Sequence, residues 1–141
     1  MPRLALIVAT AFILAACGGS DDGGGGATGA TAPSSERPSS TAKLTIVAPK
    51  VGEVVHGSSV DLRVKLQGAR LVPATTTNIV PDEGHLHVIL DDTLISMTQG
   101  LEQTIPEVPP GEHRIMVEFV ASDHAPFDPR VVSVVAFEVK P

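Results

Sequence analysis

The stretch Val60-Asp61-Leu62-Arg63-Val64-Lys65-Leu66-Gln67 decides the fold class. Apolar and polar side chains alternate along it. Val60, Leu62, Val64 and Leu66 point one way while Asp61, Arg63, Lys65 and Gln67 point the other, the pattern of a half-buried strand. The same period recurs on either side of this stretch. Leu44-Thr45-Ile46-Val47 reads as an earlier strand stopped by Pro49. Leu86, Val88 and Leu90 form another core face, closed by a turn at Asp91-Asp92. Ile115, Val117 and Phe119 form a further one, which begins after Pro109-Pro110-Gly111. The last, Val131 to Val139, is nearly all apolar, with Phe137 and Val139 in the core. No stretch keeps a helical period over three turns. Strands separated by Pro and Gly turns, with no helices between them, predict an all-β fold: a single antiparallel β-sandwich over residues 43–141.

Composition narrows the function. The chain has 141 residues, a net charge of -6, four Phe as its only Phe, Tyr or Trp residues, five His and one Cys. An acidic chain without a basic stripe or a stacking platform excludes nucleic acid as a partner. A lone cysteine excludes an internal disulfide and a Cys-rich zinc site. No Gly-x-Ser-x-Gly elbow, His-Glu-x-x-His helix or free cysteine nucleophile is present, so the chain does not read as an enzyme.

Leu4 to Ala16 is an apolar run broken only by Thr10 and preceded by Arg3. That length suits the core of a signal peptide and falls short of a membrane span. The run ends in Leu14-Ala15-Ala16-Cys17, which resembles the lipobox of bacterial lipoproteins. The resemblance implies that residues 1–16 are cleaved and that Cys17 is the lipidation site, carrying a diacylglyceryl group and an acyl chain such as palmitate. It also implies that the protein is exported to the bacterial cell envelope and held at the membrane by its lipid. Two or more acyl chains give stable anchoring. Residues 17–42 are then the lipidated Cys and a disordered tether of Gly, Ser, Thr, Ala and Pro, too poor in apolar side chains to offset its ordering entropy. Its reach is roughly 25 to 30 Å.

Within residues 43–141, Pro49-Lys50-Val51-Gly52-Glu53-Val54-Val55-His56-Gly57 and the alternating strand after it look like the opening of bacterial immunoglobulin-like domains. Gly84-His85-Leu86-His87, Pro110-Gly111-Glu112-His113 and Asp123-His124-Ala125-Pro126 are together similar to a family of small exported bacterial domains of unknown function. That family carries a Gly-His-x-His strand and a Pro-Gly-x-His strand. The resemblance implies an immunoglobulin-like sandwich and export, and it supplies no activity.

The histidines can be placed by parity. His85 and His87 share a face, opposite to Leu86, Val88 and Leu90. If their strand and the one from His113 to Ala121 are antiparallel neighbours, as central strands of such sandwiches are, His85 and His87 lie near Ser122, Asp123 and His124. His113 then lies at the far end, near Asp91 and Asp92. His124 joins His85 and His87 if its strand stays regular that far. Three imidazoles with the carboxylates of Asp82, Glu83, Asp123 and Asp128 nearby match the ligand types of zinc or copper(II), with Asp123 the carboxylate assigned to the site. A carboxylate could equally hydrogen-bond a histidine and pin the loop from Ser122 to Arg130, a structural role that the residues favour over metal binding. His56 reads as an exposed turn residue, and Met97 and Met116 as packing residues. Ile89, Met116 and Val120 fall on the nominal outer face. Either the segment Gln67 to Gly84 or Leu94 to Pro110 covers part of that face, or the face is bare and offers a partner surface.

The sequence therefore points to a membrane-anchored lipoprotein that presents a small non-catalytic binding or interaction domain to an envelope protein or ligand. The alternative is a zinc- or copper-binding module using His85, His87 and His124; no other cofactor is implied.

Overall fold

The computed structural model describes residues 36–74 and 78–141. The expected signal peptide, Cys17 and the tether as far as residue 35 lie outside the described residues. Among the described residues there is no helix. The strands are β1 (Lys43–Ala48), β2 (Val54–His56), β3 (Val60–Gln67), β4 (Arg70–Leu71), β5 (Glu83–Leu90), β6 (Thr93–Thr98), β7 (Glu102–Ile105), β8 (Gly111–Ala121) and β9 (Pro126–Lys140).

They form two sheets. One has the order β1-β3-β7; the other has the order β2-β9-β8-β5-β4, with β6 also paired to β5. The alternation of β3 places Val60, Leu62 and Val64 in the core, facing Leu86, Val88, Ile115, Val117, Phe119, Val135, Phe137 and Val139 of the larger sheet. Each such side chain contributes about 1.5–3 kcal/mol by leaving water. Phe127 adds an aromatic contact, stacked on Phe119 with centroids 5.4 Å apart.

Two expectations change. The segment Leu94 to Pro110 does not lie over the outer face of the larger sheet. It forms β6 on one sheet and β7 on the other, because its short strands find open edges next to β5 and β3. The expected loop from Ser122 to Arg130 is instead a tight reversal, with β9 already under way at Pro126. The outer face is consequently divided. At the β8–β9 turn His85 and Val120 are each 1% exposed, whereas Val132 is 41% and Val134 49% exposed farther along β9.

Ahead of β1, Arg37, Pro38, Ser40 and Thr41 hydrogen-bond to the sandwich.

Candidate metal centre

Gly84 begins the site. β5 and β8 run antiparallel, with Gly84 opposite Ala121, His85 opposite Val120 and His87 opposite Glu118. A Cβ on Gly84 would collide with the carbonyl oxygen of Val120, so glycine alone permits these backbones to approach so closely. His85 then faces away from the core, as parity requires, but under the reversal that follows β8.

That reversal carries His124. The strand does not stay regular to this point; it ends at Ala121 and turns. The His124 amide donates to the Ala121 carbonyl at 3.0 Å, and the Ala121 amide donates to the Ala125 carbonyl at 3.1 Å. His124 adopts φ 64°, a left-handed conformation in which His is enriched among non-glycine residues. Its ring meets that of His85 edge-on, with centroids 4.6 Å apart. The His87 ring is 5.0 Å from that of His85.

The ring nitrogens converge. Nε2 of His85 lies 3.1 Å from Nε2 of His87 and 3.1 Å from Nδ1 of His124, and one nitrogen from each ring falls within 4.8 Å of the others. A neutral imidazole nitrogen either donates one proton or offers one lone pair. Nε2 of His85 therefore cannot make a full hydrogen bond to both neighbours. Its Nδ1 is buried without a hydrogen-bond partner, so neither tautomer satisfies the ring. Burial pushes the His85 pKa down to about 4, and the neighbouring His87 and His124 push it the same way. Burial, then His124, also lowers the pKa of His87, against a smaller opposing pull from Glu118. Both rings are thus kept neutral at pH 7, with lone pairs rather than protons to present. A cation between the three nitrogens would turn their mutual repulsion into attraction.

The carboxylates go elsewhere. Asp123, expected among the ligands, accepts Nη1 of Arg37 at 2.6 Å and Nη2 at 3.0 Å. The same guanidinium donates to the carbonyls of Pro126 at 2.8 Å and Ala125 at 3.0 Å. A carboxylate bound at two points by a guanidinium of opposite charge is held more strongly than it would be by a neutral imidazole. Asp82 accepts from Ser40 and Thr41, and Glu83 pairs with Arg70. Glu118, buried beside His87, takes Nε and Nη2 of Arg130 at 2.7 Å each.

The other histidines stand apart. Nδ1 of His113 meets Asp91 at 2.6 Å and Nε2 meets the Pro109 carbonyl at 2.8 Å, which fixes the Asp91-Asp92 turn at the end of the sheet that parity assigned it. His56 is exposed and ends β2 rather than forming a turn.

Arg37 has no role in the sequence pattern, and Gly84 enters it only as the glycine of the Gly-His-x-His motif. Arg37 had a signal: it is the lone base between Gly18 and Ala42. The motif marks Gly84 without its reason, since its necessity depends on the Val120 carbonyl of a distant strand.

No protein-family model and no curated protein matches this chain. Among solved structures it is similar to the fibronectin(III)-like modules of CbhA from Clostridium thermocellum, with 22% identity, a TM-score of 0.50, and 69% of this chain and 94% of that one covered. The fold is an immunoglobulin-like β-sandwich. The endo-beta-1,4-mannanase from Thermotoga petrophila is matched over 70% of this chain but 20% of that one, at 15% identity and a TM-score of 0.47. The PKD domain of human KIAA0319 is matched at 18% identity over 80% of this chain and 93% of that one, with a TM-score of 0.37. At these identities the likeness concerns the sandwich alone, since a fold of this kind hosts many functions.

Proposed function

We propose that the chain is an exported bacterial lipoprotein, anchored to the envelope membrane through Cys17, whose sandwich binds a zinc or copper(II) ion through His85, His87 and His124. The observation that carries the metal reading is the convergence of three imidazole nitrogens, two pairs of them 3.1 Å apart. Ligands about 2.0–2.1 Å from a tetrahedral ion stand about 3.3 Å from one another, so small ring movements complete the site. The exposed position of His124 gives an ion a way in from solvent and leaves a fourth coordination position.

This reading narrows the broader one, a non-catalytic binding domain displayed at the envelope. A protein partner is favoured by a separate observation, the bare apolar side chains Val132 and Val134 on the same sheet.

Titration with Zn²⁺ and Cu²⁺, with and without the double substitution His85→Ala, His87→Ala, tests the metal reading. Stoichiometric binding that the double variant loses supports it; no binding, or binding that survives, refutes it. For the anchor, Cys17→Ser releases the protein from membranes, and retention of that variant counts against lipidation.

A further inference from the structure

His87 has a direct cross-strand neighbour on each side: Glu118 on β8 and Met97 on β6. Opposed residues of an antiparallel pair share a face, with Cβ atoms about 4.5–5.5 Å apart. Met97 therefore stands on the same surface as the three imidazoles. The Glu118 flank is closed to a metal, since both carboxylate oxygens are held by Arg130. Asp123, on the His124 flank, is closed in the same manner by Arg37. Met97 is the cross-strand neighbour of His87 on β6 that carries a soft donor atom.

Packing does not account for it. Met97 is 53% exposed, against the expectation from sequence that it is a packing residue. It lies on a strand whose pairing among the described residues is to β5 alone. Its thioether is soft and its three rotatable bonds let it swing toward a neighbour. Met116, by comparison, is half-buried opposite Ile89, one same-face step farther from the site.

We infer that Met97 supplies a thioether as fourth ligand to the three-imidazole centre, so that the site takes copper(I) as well as the divalent ions. Thioethers suit copper(I), and imidazole suits zinc and copper alike, so zinc can be held by the three rings without the sulfur. The inference rests on the metal reading of the three histidines, and its test separates the two.

The full-length chain in detergent, carrying Cys17→Ser so that no thiol competes, is titrated with copper(I) against a copper(I) chelator under reducing conditions, and separately with Zn²⁺. The expected result is that Met97→Leu weakens copper(I) binding by about tenfold or more, equivalent to about 1.4 kcal/mol, while zinc binding stays within about twofold and Met116→Leu alters neither. X-ray absorption of the copper(I) form shows one sulfur neighbour that Met97→Leu removes. If zinc binds but Met97→Leu holds copper(I) as tightly as before, the thioether assignment is overturned and the histidine site stands. If the parent chain binds neither ion, the histidine reading falls and the assignment with it.

Discussion

Arg37 and Asp123, 86 residues apart in sequence, form a two-point ion pair that fastens the approach to β1 onto the turn carrying His124. His124 holds its left-handed conformation in a turn that is gripped from outside by one guanidinium. Arg37, ahead of β1, thus braces the turn that presents His124.

Removing that grip should loosen the site more than the fold. Arg37→Ala is expected to weaken zinc binding by about 10- to 100-fold, the scale on which outer supports of metal ligands act. The pair is partly exposed, so the cost in stability should be only about 1 kcal/mol. A fragment starting at Lys43 should show the same deficit relative to one starting at Ser34. Calorimetric titration beside urea unfolding checks both; equal affinities would mean that the turn holds itself.

Gly84→Ala should act on the fold. The added methyl meets the Val120 carbonyl, a backbone atom that cannot move aside, and overpacking of this kind costs about 1–3 kcal/mol. The urea midpoint should fall accordingly. An unchanged midpoint would show that β5 and β8 can part without penalty.

Acid should destabilise the metal-free protein well before the carboxylates titrate. In the unfolded chain His85 takes a proton near its ordinary 6.5, but in the fold only near 4. Between those values the unfolded state binds more protons, so stability falls as pH falls. Each tenfold loss of proton affinity is worth about 1.4 kcal/mol, so the loss of stability reaches roughly 3 kcal/mol by the time the folded ring titrates. The hydrogen bonds from Arg37 keep the Asp123 carboxyl below its usual range, and those from Thr41 do so for Asp82; their contributions persist until more acid conditions. Unfolding midpoints across this window should slope downward, and His85→Leu should flatten the slope. A flat profile in the unsubstituted protein would contradict the buried, neutral ring.

His113 should behave oppositely. Burial lowers its pKa, but the bonds to Asp91 and the Pro109 carbonyl outweigh this and raise it overall. Its stabilising contribution is complete below the ordinary 6.5 and fades as pH rises through the elevated value. His113→Gln should therefore cost stability mainly on the acid side and leave zinc affinity unchanged, because the ring lies at the other end of the sheet. A fall in zinc affinity in this variant would place His113 in the site.

The alternating pattern of β3 and the parities of β5 and β8 were legible in sequence because period-two burial is a local property. His85 and His87 share a face for the same reason. His124 was reached by counting along a strand that in fact ends at Ala121; the right neighbour resulted from a turn, not from continued pairing. Asp123 was legible as a nearby carboxylate but not as Arg37's partner, since that choice depends on a contact across the whole domain. Met97 looked like packing because sequence hydropathy does not reveal that β6 presents it on the uncovered side of the sheet.

The three-histidine centre is tested most directly by following all five histidine rings of the isotope-labelled protein by NMR while Zn²⁺ is added. The ring resonances of His85, His87 and His124 should shift together and saturate at one ion per chain, while those of His56 and His113 stay in place. Shifts confined to His56 or His113, or no saturable change in the three, would contradict the centre.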